Sequence, residues 1–539
     1  MRKIKYKEFL DKIHGCWYGK CLGGAAGAPV EGIKKIIQVD DFTEIYDPEL
    51  PNDDLDIQLL WLDVLENKGT VISSCDLADA WLEKCWYPFS EYGYFLKNYE
   101  RGIKPPYSGI VNNSFFSEGM GCPIRSEIWA VISAGNHELA AQYAYIDACL
   151  DHSGNSIYAE QFMAAMESEA FFESDIMRLI DCGMRYVPED CRLRKCMDTV
   201  ISMYNQGADW TETRQTVLSR YSHPDFTNAV QNMGFILIAL LYGQGDMRKT
   251  INTALKCGYD ADCTCASAGA VVGIIKGRSG LTEDVRELIN DRFVIGIDIK
   301  RSSDKISRLA EDSLAAAMKS PNYMLEVVDA PYKAERPENF SGLQCEYFSK
   351  EGLELALQNI VPIRWRLYGP FFEQLEQPID ERYPSPHGEC SVLPDLVCMV
   401  NNNVSLERDY IADKTAAAVI AESFDDFIDA DKYFTLEGQM CCYAKTYIEA
   451  PDNMKVWFVI GNNDGFSVEM NDKCVLKKDE IRLWTPYNNF TCAELKKGIN
   501  EISVKLLRRT ERLKFSIGFR RYVGCHWHRS RWHTDLRFC

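Results

Sequence analysis

The stretch Gly15–Gly32, GCWYGKCLGGAAGAPVEG, decides how the first half of this chain is interpreted. Glycine recurs at every fourth position from Gly15 to Gly27, and a glycine without a Cβ lets a helix or a ligand approach the backbone closely. On chemistry alone the spacing favours tight helix packing that ends in a turn at Pro29. In that interpretation Glu31 is an ordinary loop carboxylate.

Two acidic segments lie further along the chain. The first is Asn52-Asp53-Asp54-Leu55-Asp56, directly before an apolar helical pattern, and the second places Asp260 and Asp262 before a helix of small residues. One acid at a helix start is a common N-cap. Several acids so close together repel each other, and a hard divalent cation would relieve that repulsion. Capping and metal binding therefore both stay open from the pattern alone.

The chain changes character after about residue 325. Before it, Ala-rich and apolar stretches with helical spacing predict an all-α bundle over residues 1–325. A proline-containing junction is expected over 326–360. Beyond it, residues 361–539 show period-two apolar patterns separated by Asn-, Asp- and Gly-rich turns, which predicts an all-β sandwich. The fold class is thus a multidomain protein with a helical half and a β half.

Composition excludes some functions. The chain has 60 Lys and Arg against 79 Asp and Glu, a net charge of −19, which argues against binding nucleic acid or an anionic membrane. We expect no secretory signal, no membrane span and a reduced set of 21 cysteines, which together predict a cytoplasmic protein.

The glycine stretch, the Asn52-Asp53-Asp54 segment and the sequence Gly-Tyr-Asp-Ala-Asp that ends at Asp262 occur in a definite order. Between them lie Gly119–Arg125, GMGCPIR, and the pair Asp151-His152. Together these motifs resemble the ADP-ribosylglycohydrolase family, relatives of the dinitrogenase-reductase-activating glycohydrolase, over roughly residues 10 to 280. The resemblance implies an orthogonal helical bundle with a binuclear metal site, usually Mg²⁺, with Mn²⁺ as a possible substitute.

The resemblance also implies roles for individual residues. It assigns catalytic roles to Glu31, Asp54 and Asp262, with Glu31 as the acidic residue near the anomeric centre. The metal ligands it implies, together with nearby donors that could serve, are Asn52, Asp53, Asp54, Asp56, Asp260, Asp262, Cys263 and Thr264. The substrate-binding residues it implies are Gly119, Gly121, Arg125, His152 and Tyr259. Its partner would be a free or protein-linked ADP-ribosyl or glycosyl substrate.

The chain departs from the family pattern in several places. Gly24 stands where the family has Asp, Asn52 where it has Thr, and Met120 where its phosphate loop has a polar residue. Cys263 stands where the family has a Thr ligand, and sulfur is a poor ligand for Mg²⁺. Asp56 and Thr264 are the donors that could compensate.

Three functions therefore stay open. The first is a metal-dependent hydrolase that cleaves an N- or O-glycosidic bond at the anomeric carbon of ADP-ribose. The second is a hydrolase of another glycoside or of a nucleoside-like compound, and the third is a non-catalytic relative that binds a ligand. Two residues have two interpretations each: Arg125 is either structural or in contact with phosphate, and His152 is either a core residue or near the ligand.

The C-terminal half resembles, more loosely, the jelly-roll accessory modules of carbohydrate-active proteins. Trp365, Trp457 and Trp484 are candidate stacking platforms, although core packing is the favoured interpretation of each. A cluster of His526, Trp527, His528, Trp532 and His533 allows a metal site but favours an aromatic closing strand.

Overall fold

The computed structural model describes residues 1–372, 404–410, 418–435, 438–509, 512–524 and 529–539. His526, Trp527 and His528 lie outside the described residues. The described chain divides into two compact units. The first comprises Met1–Phe95 and Ile103–Lys350, and the second comprises Leu96–Gly102 and Glu351–Cys539.

The first unit is helical, as the sequence predicts. The helices found in the described chain are α1 Tyr6–Gly27, α2 Asp53–Lys68, α3 Ser74–Lys84, α4 Ser90–Glu100, α5 Glu127–Ile132, α6 His137–Ala148, α7 Asn155–Ala170, α8 Ile176–Gly183, α9 Arg192–Asn205, α10 Trp210–Tyr221, α11 Ala229–Gly243, α12 Met247–Cys257, α13 Ala261–Lys276, α14 Glu283–Arg286, α15 Ile306–Lys319 and α16 Lys350–Leu357. From Leu96 onward α4 belongs to the second unit, and α16 begins at the last residue of the first. A short parallel pair, β1 Arg2–Lys5 and β2 Leu325–Val328, joins the two ends of this unit.

Two helices of the first unit are buried along almost their whole length. Nearly all residues of α11 and α13 are buried, in agreement with their all-round apolar or small-residue sequences. A helix that is buried on every side has no polar face to spare: α11 carries no charged residue, and the charged residues of α13 are Asp262 in its first turn and Lys276 at its end.

The second unit is built from antiparallel strands. They are β3 Ile363–Phe371, β4 Val419–Ser423, β5 Phe427–Asp429, β6 Met440–Ala450, β7 Met454–Asn462, β8 Phe466–Met470, β9 Lys473–Lys478, β10 Asn489–Leu495, β11 Gly498–Arg508, β12 Lys514–Arg521 and β13 Arg537–Phe538. One sheet has the order β10-β7-β12-β5, and the other has the order β4-β3-β6-β11-β8-β9 with β13 also paired to β6.

The two sheets share one apolar core. Trp365 on β3 is fully buried and meets Phe515 on β12 edge to face, with ring centroids 5.0 Å apart. The period-two residues of β7, β8, β11 and β12 are all buried in this core, so the predicted strands and their buried faces are confirmed. Trp365 is therefore a core residue rather than a stacking platform.

Two further predictions can be compared with the described residues. Every cysteine among them is a free thiol. None of the helices they form is long and apolar enough to cross a membrane.

Candidate active site

The glycine stretch brings α1 and α13 into backbone contact. A Cβ added at any of its four spaced glycines would overlap a backbone carbonyl oxygen of α13, and the pairs are Gly15 with Gly273, Gly19 with Gly269, Gly23 with Cys265 and Gly27 with Ala261. The interpretation as tight helix packing is confirmed. These pairs show that the two helices run antiparallel, so the end of α1 lies beside the start of α13.

The turn after α1 is fastened to the turn before α13. The Gly32 amide donates to the Tyr259 carbonyl at 2.8 Å, and the Tyr259 amide donates to the Ile33 carbonyl at 2.9 Å. Gly258, with a φ of 67°, lies against the Ile33 carbonyl, where a side chain would not fit. This backbone pairing holds Glu31 beside Asp260.

Helix α2 begins with an amide cap, not with one of its acids. The Asn52 side-chain oxygen accepts a hydrogen bond from the Asp54 amide at 2.8 Å. A Cβ at Gly24 would run into the Asn52 side-chain nitrogen, so Gly24 leaves the room that Asn52 occupies. Asp260 stands at the N-cap position of α13 but its side chain makes no capping bond. Capping therefore accounts for Asn52 and leaves the acids unexplained.

Acidic side chains from these elements meet in one cluster. Glu31, Asp260 and Asp262 each place a carboxylate oxygen within 4.8 Å of the others, and Asp54, Asp262 and Cys263 form a second such group around Asp262. Four buried oxygens here have no hydrogen-bond partner among the described residues: both oxygens of Asp54, Asp260 Oδ2 and Asp262 Oδ1. Of these, Asp54 Oδ1 lies in an ion pair with Lys20 at 3.0 Å. Buried polar atoms are normally paired, so a hydrogen-bond donor or a cation is expected to contact these oxygens.

The electrostatics of the cluster fit a divalent cation. Burial and the neighbouring carboxylates raise the pKa values of Asp53, Asp260 and Asp262 well above their ordinary range. Oxygen donors that repel one another in this way suit a hard divalent ion. The group with Glu31 is made of oxygen donors only and fits such an ion, whereas the group with Cys263 includes a soft sulfur.

Glu31 is the exposed member of the cluster. Partial withdrawal of its carboxylate from water, together with the charges of Asp53 and Asp54, raises the pKa of Glu31 to about 7. A cation bound beside Asp262 would act in the opposite direction by neutralising the nearby carboxylates. Of the clustered acids, Glu31 is the one most exposed to solvent.

Three of the predicted metal donors are used elsewhere. Asp56 is buried, accepts a hydrogen bond from the Tyr87 hydroxyl, and accepts another from the Gly296 amide at 2.8 Å. The Thr264 hydroxyl donates to the Ala261 carbonyl at 3.3 Å, inside its own helix. The Asn52 side chain is engaged as the cap. The structure thus does not bring these three side chains into the donor groups around Asp262. Asp53, also a predicted ligand, is in neither group.

Lys20 is a charged residue at this site that the sequence did not single out. Its ammonium is fully buried and lies 3.0 Å from Asp54 Oδ1 and 2.9 Å from Glu127 Oε1, and it donates to the Ile124 carbonyl at 2.6 Å. Burial alone would lower the pKa of Lys20, but the Glu127 and Asp54 carboxylates outweigh burial and hold it above its usual range. The available signal was a lysine within the glycine stretch.

The predicted phosphate loop lies next to the acidic cluster. The Tyr92 hydroxyl is 3.3 Å from Asp53 Oδ2 and 3.5 Å from the Gly121 carbonyl, so this residue, also missed from sequence, bridges the two. Gly119 and Gly121 are both buried, and a Cβ at either would crowd Glu91 Oε1. The carboxylate of Glu91 therefore packs directly against the loop.

Arg125 and His152 form part of a buried ionic network. Arg125 has no exposed surface and donates to Asp147 and Asp151, with its guanidinium over two tryptophan rings. His152 is also fully buried, 2.7 Å from Asp151 Oδ1 and 3.4 Å from Glu91 Oε1. These contacts favour the structural interpretation of both residues. Tyr259 is half-buried, with its ring beside Phe235.

Comparison with known proteins identifies the family. The family model for ADP-ribosylglycohydrolase matches residues 5–322, and the chain belongs to that family. Membership supports a glycohydrolase, and hence an enzyme. No curated protein matches the chain.

Several solved structures are similar to parts of the chain. An ADP-ribosylglycohydrolase-related protein complex is 19% identical with a TM-score of 0.43, over 58% of this chain and 99% of that one. A β-glucosidase from Kluyveromyces marxianus in complex with glucose is 7% identical with a TM-score of 0.20, over 30% of this chain and 17% of that one. The PA14 domain of the MpAFP antifreeze protein is 10% identical with a TM-score of 0.19, over 32% of this chain and 90% of that one.

Proposed function

We propose that this protein is a metal-dependent hydrolase that cleaves the glycosidic bond at the anomeric carbon of an ADP-ribosyl group. One observation carries the proposal: acids from the starts of α2 and α13 converge with Glu31, and some of their buried oxygens have no hydrogen-bond partner in the part of the chain that the structure describes. A fold that buries several carboxylates together is stabilised when a cation occupies them.

Each element has a part in this chemistry. Asp260, Asp262 and Glu31 would hold a divalent ion, with Mg²⁺ or Mn²⁺ suited to their oxygen donors. Such an ion supplies the positive charge that binds ribose hydroxyls and polarises a water molecule. Glu31, exposed at the edge of the cluster, would take a proton from the attacking water or assist the leaving group. Asp54, which forms an ion pair with Lys20, would supply a further carboxylate beside Asp262.

The test is release of free ADP-ribose from a panel of N- and O-linked ADP-ribosyl substrates, with Mg²⁺ or Mn²⁺ and with a chelator. We expect turnover that needs the metal and falls at least about a hundredfold in Asp262→Asn. Asp63→Asn is the matched control, because Asp63 lies on α2 in an ion pair with Lys84 outside the cluster. Metal-independent turnover that survives Asp262→Asn would reject the proposal.

Glu91 favours a second candidate, a hydrolase of a glycosyl substrate without the pyrophosphate. Its carboxylate lies against Gly119 and Gly121, where the family resemblance expects a phosphate, and like charges there oppose each other. Buried Met120 adds no polar contact in the same loop. Hydrolysis rates for ADP-ribosyl and plain ribosyl substrates with the same leaving group separate the two candidates.

A further inference from the structure

The two donor groups around Asp262 differ in chemical character. Both groups include Asp262. Its partners are Glu31 and Asp260 in one group, and Asp54 and Cys263 in the other. The first group is made of oxygen atoms only. The second contains a thiol, which takes borderline and soft ions in preference to Mg²⁺.

Lys20 limits what Asp54 can offer to an ion. The ammonium lies 3.0 Å from Asp54 Oδ1, and its contacts with Glu127 and the Ile124 carbonyl fix it in place. Asp54 Oδ2 is buried and has no hydrogen-bond partner among the described residues, so it is the oxygen left for a ligand. Asp54 can therefore bind an ion through one oxygen, not through both.

The number and type of these donors point to a four-coordinate ion. One oxygen from Asp54, one from Asp262 and the sulfur of Cys263 supply three donors and leave one position for water. That is the pattern of zinc and cobalt sites, which accept thiolate and carboxylate ligands together. Mg²⁺ requires close to octahedral coordination by oxygen atoms, and this group supplies fewer of them.

We propose that Asp54, Asp262 and Cys263 form a binding position for a borderline divalent ion such as Zn²⁺ or Co²⁺, distinct from the oxygen-only position beside it. The ion binds the thiolate, so binding releases the Cys263 proton to solvent. The inference shares Asp262 with the proposed function and makes the two metal positions unequal: one accepts Mg²⁺ or Mn²⁺ and the other does not.

The test uses Co²⁺ as a spectroscopic probe on the full chain. Thiolate bound to Co²⁺ gives a sulfur-to-metal charge-transfer absorption that oxygen ligands do not give. The variants are Cys263→Ser and Cys263→Thr. The two replacements differ in size, so if one variant fails to fold, the other can still be measured. Cys265→Ser is the control, because Cys265 is buried on the same helix and donates to the Ile251 carbonyl at 3.6 Å.

We expect the absorption band in the wild type and in Cys265→Ser, its loss in both Cys263 variants, and its persistence in excess Mg²⁺. Co²⁺ binding without the band, or a band that remains in the Cys263 variants, would overturn the inference. Failure here is distinguishable from failure of the proposed function. Mg²⁺-dependent ADP-ribose release without the band rejects only the thiolate position, whereas the band without hydrolysis of any substrate rejects only the proposed reaction.

Discussion

Replacing Lys20 by Met tests how much the Lys20 ammonium stabilises the helical unit by compensating the buried carboxylates beside it. Met has a similar length and no charge, so Lys20→Met keeps most of the packing and removes the ammonium. Asp54 and Glu127, both fully buried, would lose the cation that now lies 3.0 and 2.9 Å from their oxygens. The Ile124 carbonyl would lose the Lys20 hydrogen bond at 2.6 Å and keep the one from the Gln58 side-chain amide at 3.2 Å.

The expected loss follows from these contacts. Removing one partner of a buried ion pair costs about 3–5 kcal/mol, because the remaining charge stays in the interior without compensation. Here two carboxylates share the ammonium, so we expect the upper part of that range at neutral pH. Lys20→Met/Glu127→Gln should recover part of the loss, because it removes one of the two uncompensated charges.

Hydrogen exchange measured by mass spectrometry is the suitable assay, because the two units need separate readouts. We expect faster exchange in peptides from α1 and α13 of Lys20→Met, partial recovery in the double variant, and no change in peptides from β7 or β11. A loss below about 1 kcal/mol in α1, or equal losses in both units, would refute the assignment of Lys20 as the internal counter-ion.

Two further predictions use the same unit. Gly19→Ala places a Cβ 2.6 Å from the Gly269 carbonyl carbon, a backbone atom that cannot move aside, so we expect a loss of about 3 kcal/mol or more in urea unfolding; stability equal to wild type would contradict the helix contact. His152 has its pKa raised to about 9, because Asp151 and Glu91 outweigh the lowering by burial, against 6.5 for a free histidine. Its contribution is therefore complete below pH 6.5 and lost as the pH rises through 9. The stability difference between wild type and His152→Gln should shrink over that range, and a difference independent of pH would contradict it.

Local patterns were sufficient for the fold. Helical spacing in the first half and period-two spacing in the second each depend on a single element and its buried face, so both were visible without knowing the partners. The four spaced glycines also predicted a close helix contact correctly. What the spacing could not supply was the partner, α13, whose glycines and small residues lie more than two hundred positions away along the chain.

Which acids can bind a metal depends on contacts between residues that are distant in the sequence, and these contacts could not be predicted. Asp56 lies in a sequence that resembles a metal-binding segment. Its oxygens instead accept hydrogen bonds from Tyr87 and Gly296, and the sequence around Asp56 does not predict either contact. Lys20 was missed for the complementary reason, because its partners Asp54 and Glu127 reach it only in the folded chain. Cys263 was identified from sequence as the unusual donor, and the structure adds the lysine that acts on the same group.

Asp262 belongs to both donor groups, so a metal centre built on them should depend on this residue for both ions. Calorimetric titration of the metal-free protein with Mn²⁺ and with Zn²⁺ measures this most directly. We expect the wild type to bind both ions, and Asp262→Asn to weaken both by at least about tenfold while Asp63→Asn binds as the wild type does. Unchanged binding of both ions by Asp262→Asn would contradict a centre built around this residue.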